Sequence, residues 1–278
     1  MFGVILTTIG GLFEEASTAI GKFEVSKQSE SIYTMAFLSM FWGAFFFLGI
    51  GLLRHSLFFS LASLPIFLTR AVFEAIQVHV STRAAVQADR STYAFVRTIT
   101  IPLLLVVDLF LGYTFGQNQI IGITLIIGVF IILCLNKGIR KEGMFLTVFS
   151  AVNAVITISF FKYNITYFKN SVEAEQALMS ALLLAYFFGA DIIRARENPL
   201  RMLLKPIFFA QSATQGIAAV LFGFAFLFAP PSVIIAAGRS SSIVWSVVSG
   251  NRIFKEDHIV LKTVLLMLCV AGIIFLAV

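Results

Sequence analysis

The sequence predicts an all-α membrane protein of ten transmembrane helices, arranged as two inverted five-helix repeats. Three observations predict it. The 278 residues are 59% hydrophobic and only 12% charged, with a mean hydropathy of +0.97. A soluble domain carries about 25% charged residues and would not stay dispersed with so few. The apolar residues fall in long unbroken runs, and the second half of the chain repeats the first at an offset that holds to within one residue.

The runs are 2–21, 33–53, 57–80, 91–112, 119–136, 143–161, 173–193, 204–228, 231–250 and 259–278. Each is close to the ~20 residues a helix needs to cross the hydrocarbon core. Barrel strands would alternate over about ten residues, and these runs do not. The connections are short, so no soluble domain is expected between them. Pro65, Pro102, Pro206, Pro230 and Pro231 lie in or beside the runs, where membrane helices tolerate proline if neighbours satisfy the freed backbone groups. The first run starts without a basic stretch or a small-residue cleavage pattern, so it is expected to remain as a helix.

The repeat is visible residue by residue. One offset carries Ala36 onto Ala177, Ser39 onto Ser180, Ala44 onto Ala185, and Phe46 and Phe47 onto Phe187 and Phe188. It also carries Pro65-Ile66-Phe67 onto Pro206-Ile207-Phe208, and Ser91 onto Ser232. One residue more carries Arg97 through Ile101 onto Arg239 through Ile243. The halves are therefore 1–140 and 141–278, with five helices each. An odd number inverts the second half, and inverted repeats commonly place a transporter's substrate site at the midplane between the halves.

The formal net charge of +6 does not point to nucleic acid. Lys and Arg stand in short clusters beside apolar runs, as juxtamembrane residues do, so the lipid bilayer is the expected partner. Connections after odd-numbered runs carry Lys22, Lys27, Arg83, Arg90, Lys137, Arg140, Lys141, Arg194, Arg196, Arg201, Lys205, Arg252, Lys255 and Lys262. Those after even-numbered runs carry Arg54, Lys162 and Lys169. The positive-inside rule then puts both termini outside a cell (inner) membrane.

Charged groups inside the bilayer cost at least about 2.5–3.5 kcal/mol each on insertion scales, and they persist where they pair or line a wet cavity. Arg70, Glu74, Gln77 and Ser81 recur on one helical face, and the repeat places Gln211 and Gln215 at the equivalents of Arg70 and Glu74. Arg97 and Arg239 occupy equivalent points of the two halves. An arginine is permanently charged and forks onto carboxylate or phosphate, so this pair either grips one anionic ligand or neutralises acids such as Glu14 and Glu74. Glu14 and Glu15 are neighbours and point about 100° apart on a helix, so only one can face a central cavity. Either is a candidate for proton coupling, or a partner for an arginine. Asp108 and Asp191 are further acids in or near the runs.

Other residue types add little. Cys134 and Cys269 sit in apolar runs without metal-ligand spacing, and no cofactor is called for. His55, His79 and His258 form no catalytic pattern, and Asn164-Ile165-Thr166 is a frequent chance match to a glycosylation sequon. No nucleophile–base or metal set suggests an enzyme.

The stretch Ser91–Pro102, running on to Leu109-Phe110-Leu111-Gly112, resembles the fourth-helix signature of the drug/metabolite transporter superfamily in its EamA-like branch. Ile253-Phe254-Lys255-Glu256 before the last run is similar to that branch's ninth-to-tenth helix junction. Tyr113 and Trp245 stand where the branch usually has an acid and a proline. The resemblance implies ten helices in two inverted halves, with both termini inside, against the charge rule. Arg97 and Arg239 are similar to basic residues that bind phosphate in the sugar-phosphate branch. Glu14 or Glu15 is similar to the proton-exchanging first-helix Glu of the small multidrug branch.

The expected function is that of a secondary transporter moving a small polar metabolite, anionic or zwitterionic, as a monomer or homodimer. Arg97, Arg239, Arg70, Glu74, Gln211 and Gln215 are the expected substrate-binding residues, and Glu14 and Glu15 the expected proton-coupling ones. The competing expectations are a proton-coupled exporter of cationic drugs and a non-transporting scaffold or receptor subunit.

Overall fold

The computed structural model describes residues 2–110, 112, 116–135, 142–255 and 259–277. Lys137, Arg140, Lys141, Tyr113, Glu256 and His258 lie outside the described residues, as does the side chain of Cys134. The described regular structure is entirely helical: α1 (Phe2–Ser26), α2 (Ile32–Leu53), α3 (Leu64–Gln87), α4 (Arg90–Arg97), α5 (Thr100–Phe110), α6 (Gln117–Leu135), α7 (Met144–Tyr167), α8 (Val172–Ala190), α9 (Pro199–Met202), α10 (Pro206–Ala225), α11 (Pro231–Arg252) and α12 (Ile259–Ala277).

Among the described residues, seven helical stretches are long and apolar enough to cross a membrane: Ile32–Leu53, Leu61–Gln87, Arg90–Phe110, Met144–Tyr167, Val172–Ala195, Pro206–Ala225 and Pro231–Arg252. This makes the chain a multi-pass integral membrane protein. The other three expected spans are helical but less uniform. Glu14 and Glu15 interrupt α1, and among the described residues the shorter apolar stretches of α6 and α12 are Ile120–Val129 and Val260–Gly272. Large apolar side chains such as Phe45, Leu53, Phe110 and Leu204 are exposed, as lipid contact allows and water would not.

Local chemistry sets the helix ends. Ser31 caps α2 by accepting from the Thr34 N–H at 3.1 Å, and Ser171 caps α8 by accepting from the Ala174 N–H at 3.2 Å. Pro65, Pro206 and Pro231 sit in first turns, where the missing N–H has no partner to lose. Asp108 at the end of α5 accepts the Ser232 N–H at 3.2 Å and so caps α11 from another helix.

The expected single helix at 91–112 is broken into α4 and α5 at Thr98–Ile99. Pro102 has no N–H to give the Thr98 carbonyl, and its ring crowds that group. The Thr98 carbonyl instead accepts from the Ile101 N–H at 2.9 Å. The break leaves Arg97 as the last residue of α4. Asp191–Ala195 continues α8 as a π-helical turn, which ends at Arg196 with φ +57°.

Several residues assigned to connections in the sequence lie inside helices, Lys22 of α1, Arg83 of α3 and Arg252 of α11 among them. Arg90 opens α4, Lys162 is in α7, and Lys262 is in α12. Arg90 and Lys262 are buried, and the Lys162 ammonium donates to the Phe226 carbonyl at 2.7 Å. Positions next to an apolar run look like loop charges until tertiary partners are known. The positive-inside count is weakened accordingly.

α1 packs on α10 and α11, α2 on α8 and α10, α3 on α7, α6 on α12, and α11 on α4, α5 and α12. α4 and α5 also pack on α7. Glycines allow the tightest crossings. A Cβ on Gly11 would lie 2.7 Å from the Gly238 carbonyl oxygen, and one on Gly216 would lie 2.6 Å from Trp42 Cβ. Two apolar clusters hold the bundle, one around Phe47, Phe95, Leu104 and Phe226, the other around Phe37, Leu38, Phe67 and Phe187.

Candidate functional site

A cavity of about 230 Å³ lies among α1, α2, α3, α4, α7, α10 and α11. Its wall includes Glu14 and Ser17 from α1, Ser39 from α2, Glu74 and Gln77 from α3, and Tyr93 and Arg97 from α4. Thr157 of α7, Gln211 and Gln215 of α10, and Arg239 of α11 also line it. Seven helices therefore aim polar groups at one space inside an apolar bundle.

Glu14 is the electrostatic centre. Arg97 Nη1 donates to Glu14 Oε1 at 2.9 Å, and Arg239 Nη1 donates to the same oxygen at 3.4 Å. The Arg97 guanidinium also lies 5.0 Å from the centre of the Tyr93 ring. Two permanent cations thus share one carboxylate, leaving one positive charge over within this cluster. Arg239 is buried, and among the described residues its Nε has no hydrogen-bond partner. A guanidinium has five N–H donors, so Arg239 has capacity for a further acceptor.

Arg70 forms the opposite arrangement. Its Nη1 donates to Glu175 Oε1 at 3.0 Å, and its Nε lies 4.0 Å from Glu74 Oε2. Asn164 and Asn170 donate to the same Glu175 carboxylate at 2.8 and 2.9 Å, and the Phe161 ring centre is 4.7 Å from the guanidinium. Arg70 belongs to this fully buried network and is not part of the cavity wall. Glu74 is, and its side chain is 22% exposed.

Glu15 points away from the cavity wall and meets Arg90. Two contacts, Nη2–Oε2 at 2.6 Å and Nε–Oε1 at 3.1 Å, make a fork-on-carboxylate pair. The Ser249 hydroxyl adds a donor to Glu15 at 3.1 Å. Of the eight residues singled out in the sequence, Glu14, Glu74, Arg97, Gln211, Gln215 and Arg239 share the cavity, whereas Arg70 and Glu15 stand outside it in ion pairs.

Several contributors were missed from sequence. Arg90 and Tyr93 precede the expected Arg97 by seven and four residues on α4, a spacing that marks one face. Glu175 had a weaker signal, an acid in the first turn of α8. Glu30 had none: it lies between α1 and α2 and accepts from Gln211 Nε2 at 2.9 Å. Burial pushes its carboxyl up to about 8; the Gln211 amide opposes this, while Glu197, Glu24 and Asp191 add to it. Asp191 itself is buried and accepts from the Thr34 hydroxyl at 2.8 Å, while Asn164 is buried within the Glu175 network.

Among the described residues no group of three or more His, Cys, Asp or Glu is placed to hold a metal ion. Comparison with known protein families and with curated proteins finds no match for this chain.

Proposed function

We propose that this protein is a secondary transporter that carries a small polar metabolite across a membrane by alternating access, with Arg97 and Arg239 holding an anionic group of the cargo. The observation that carries this reading is the convergence of Arg97 and Arg239 on one Glu14 oxygen at the wall of a polar cavity. Two guanidiniums against one carboxylate make this cluster locally positive, which favours an anion there although Glu74 balances the wall as a whole. A scaffold has no reason to bear the insertion cost of such an arrangement.

The helix pairings support two inverted five-helix halves, as in the drug/metabolite transporters that the sequence resembles. If α4 and α5 count as one span, α1 on α10 answers to α7 on α3, and α1 on α11 answers to α7 on α4. The α2–α8 and α6–α12 pairs each join corresponding spans of the two halves. A cavity between such halves is where inverted-repeat carriers bind cargo. Glu74 offers an acceptor for an amine on a zwitterionic cargo. Cation export through Glu14 gains no support, because its carboxylate already faces two cations.

The test is a thermal-shift screen of purified protein in detergent against carboxylates, phosphorylated metabolites, neutral sugars and cationic drugs. A ligand at ~100 times its dissociation constant adds about 2.7 kcal/mol. Anions are expected to stabilise wild type and not Arg239→Ala. That variant keeps the closer Arg97–Glu14 pair and with it the fold. Stabilisation by cations alone, equal in both proteins, would contradict the reading.

A further inference from the structure

We propose that Glu74 carries the proton that enters the cavity together with an anion on Arg97 and Arg239. The inference rests on the proposed anion site and assigns the group that balances its charge.

Two mirrored triads carry the argument. Glu14 is one carboxylate between two guanidiniums, and Arg70 is one guanidinium between two carboxylates. Arg70 is committed to Glu175, whose carboxylate is fully buried and 3.0 Å away, whereas Glu74 is 4.0 Å away and open to the cavity. The charges at the cavity wall therefore balance: Arg97 and Arg239 against Glu14 and Glu74. A bound monoanion upsets this balance by one negative charge in a low-dielectric space, and an uncompensated buried charge is strongly disfavoured. A proton on one of the two carboxylates restores it. Protonating Glu14 would remove the shared partner of two cations. Protonating Glu74 removes only a loose contact to an arginine that keeps its closer partner.

The charged and titratable groups facing Glu74 are few. α1 presents Glu14, α4 presents Tyr93 and Arg97, α11 presents Arg239, and α8 presents Glu175 behind Arg70. The cavity walls from α2, α7 and α10 are uncharged. On α3 itself, His79 packs beside Tyr33 and is not part of the wall. In each cycle one proton from the aqueous side bonds to a Glu74 carboxylate oxygen, crosses with one anion, and leaves on the other side.

The test uses purified wild type, Glu74→Gln and Arg239→Ala, titrated calorimetrically with lactate and methanesulfonate. Both probes stay ionised between about pH 6 and about pH 8.5. Two buffers of different ionisation enthalpy report the protons taken up. Wild type is expected to take up one proton per anion, and its affinity to rise toward about tenfold per unit of falling pH. Glu74→Gln is expected to bind both anions without proton uptake or pH slope. Anion binding by wild type without a proton, or the same uptake in Glu74→Gln, overturns the assignment and leaves the anion site standing. Unchanged binding by Arg239→Ala, or no binding by either wild type or Glu74→Gln, overturns the anion site and this assignment with it.

Discussion

Arg97 and Arg239 donate to the same oxygen, Glu14 Oε1, at 2.9 and 3.4 Å. The two arginines come from α4 and α11. Each is held by the acid that also holds the other, so Glu14 is the part on which both depend.

Removing Glu14 should therefore destabilise the fold. Glu14→Ala leaves two largely buried guanidiniums without a counter-charge, at a cost of about 3 kcal/mol or more. Glu14→Gln keeps an acceptor and should lose less. Thermal unfolding in detergent measures the order; equal melting temperatures for wild type and Glu14→Ala would contradict the pairing.

Glu175 should matter more for stability than for cargo. Its carboxylate receives Arg70, Asn164 and Asn170, and Glu175→Ala removes that shared acceptor, leaving Arg70 to the longer Gln176 and Glu74 contacts and Asn170 to Ser63. The expected loss is about 3–5 kcal/mol. Because the network stands behind the cavity wall, the surviving folded fraction should retain the anion preference of wild type. A changed ligand order in the thermal-shift screen would contradict this placement.

Glu30 should make stability depend on pH. Its carboxyl is pushed from 4.5 to about 8 in the fold. Between those values the folded protein holds a proton there that the unfolded chain has released. Glu30's contribution therefore falls as pH rises through the window, by about 1.4 kcal/mol per unit, and is constant above it. Glu30→Gln should melt above wild type at pH 8, and the two should converge toward pH 5. A gap that does not change with pH would count against the buried Glu30–Gln211 contact.

Gly216 should not accept a side chain. An added methyl would lie 2.6 Å from Trp42 Cβ and 3.0 Å from the Trp42 carbonyl carbon, so the α2–α10 crossing must open. Gly216→Ala is expected to cost about 1–3 kcal/mol. Gly49, with nothing near its would-be Cβ, is the control whose alanine variant should unfold like wild type.

Much of the helical layout was legible because it depends on local properties. Unbroken apolar runs marked the helices but not their exact starts, which the Ser31 cap of α2 and Pro206 at the start of α10 set in the structure. The pairing of intramembrane charges was legible only in kind. Burial cost says that Arg70 and Glu15 need partners, but Glu175 and Arg90 lie far away in sequence and meet them only in the fold. Arg90 was misread as a loop charge for the same reason. The break before Pro102 needed attention to a single missing N–H, which a count of apolar residues passes over.

The most direct test of the central claim is whether one site opens to both sides of the membrane. Ser39, on the cavity wall, can be replaced by cysteine in a protein with alanine at Cys134 and Cys269. The variant is reconstituted in oriented vesicles and treated with a membrane-impermeant maleimide from either side. An alternating-access carrier predicts labelling from both sides, slowed by lactate, with the slowing lost in Arg239→Ala. Labelling from one side only, unaffected by lactate, would contradict it.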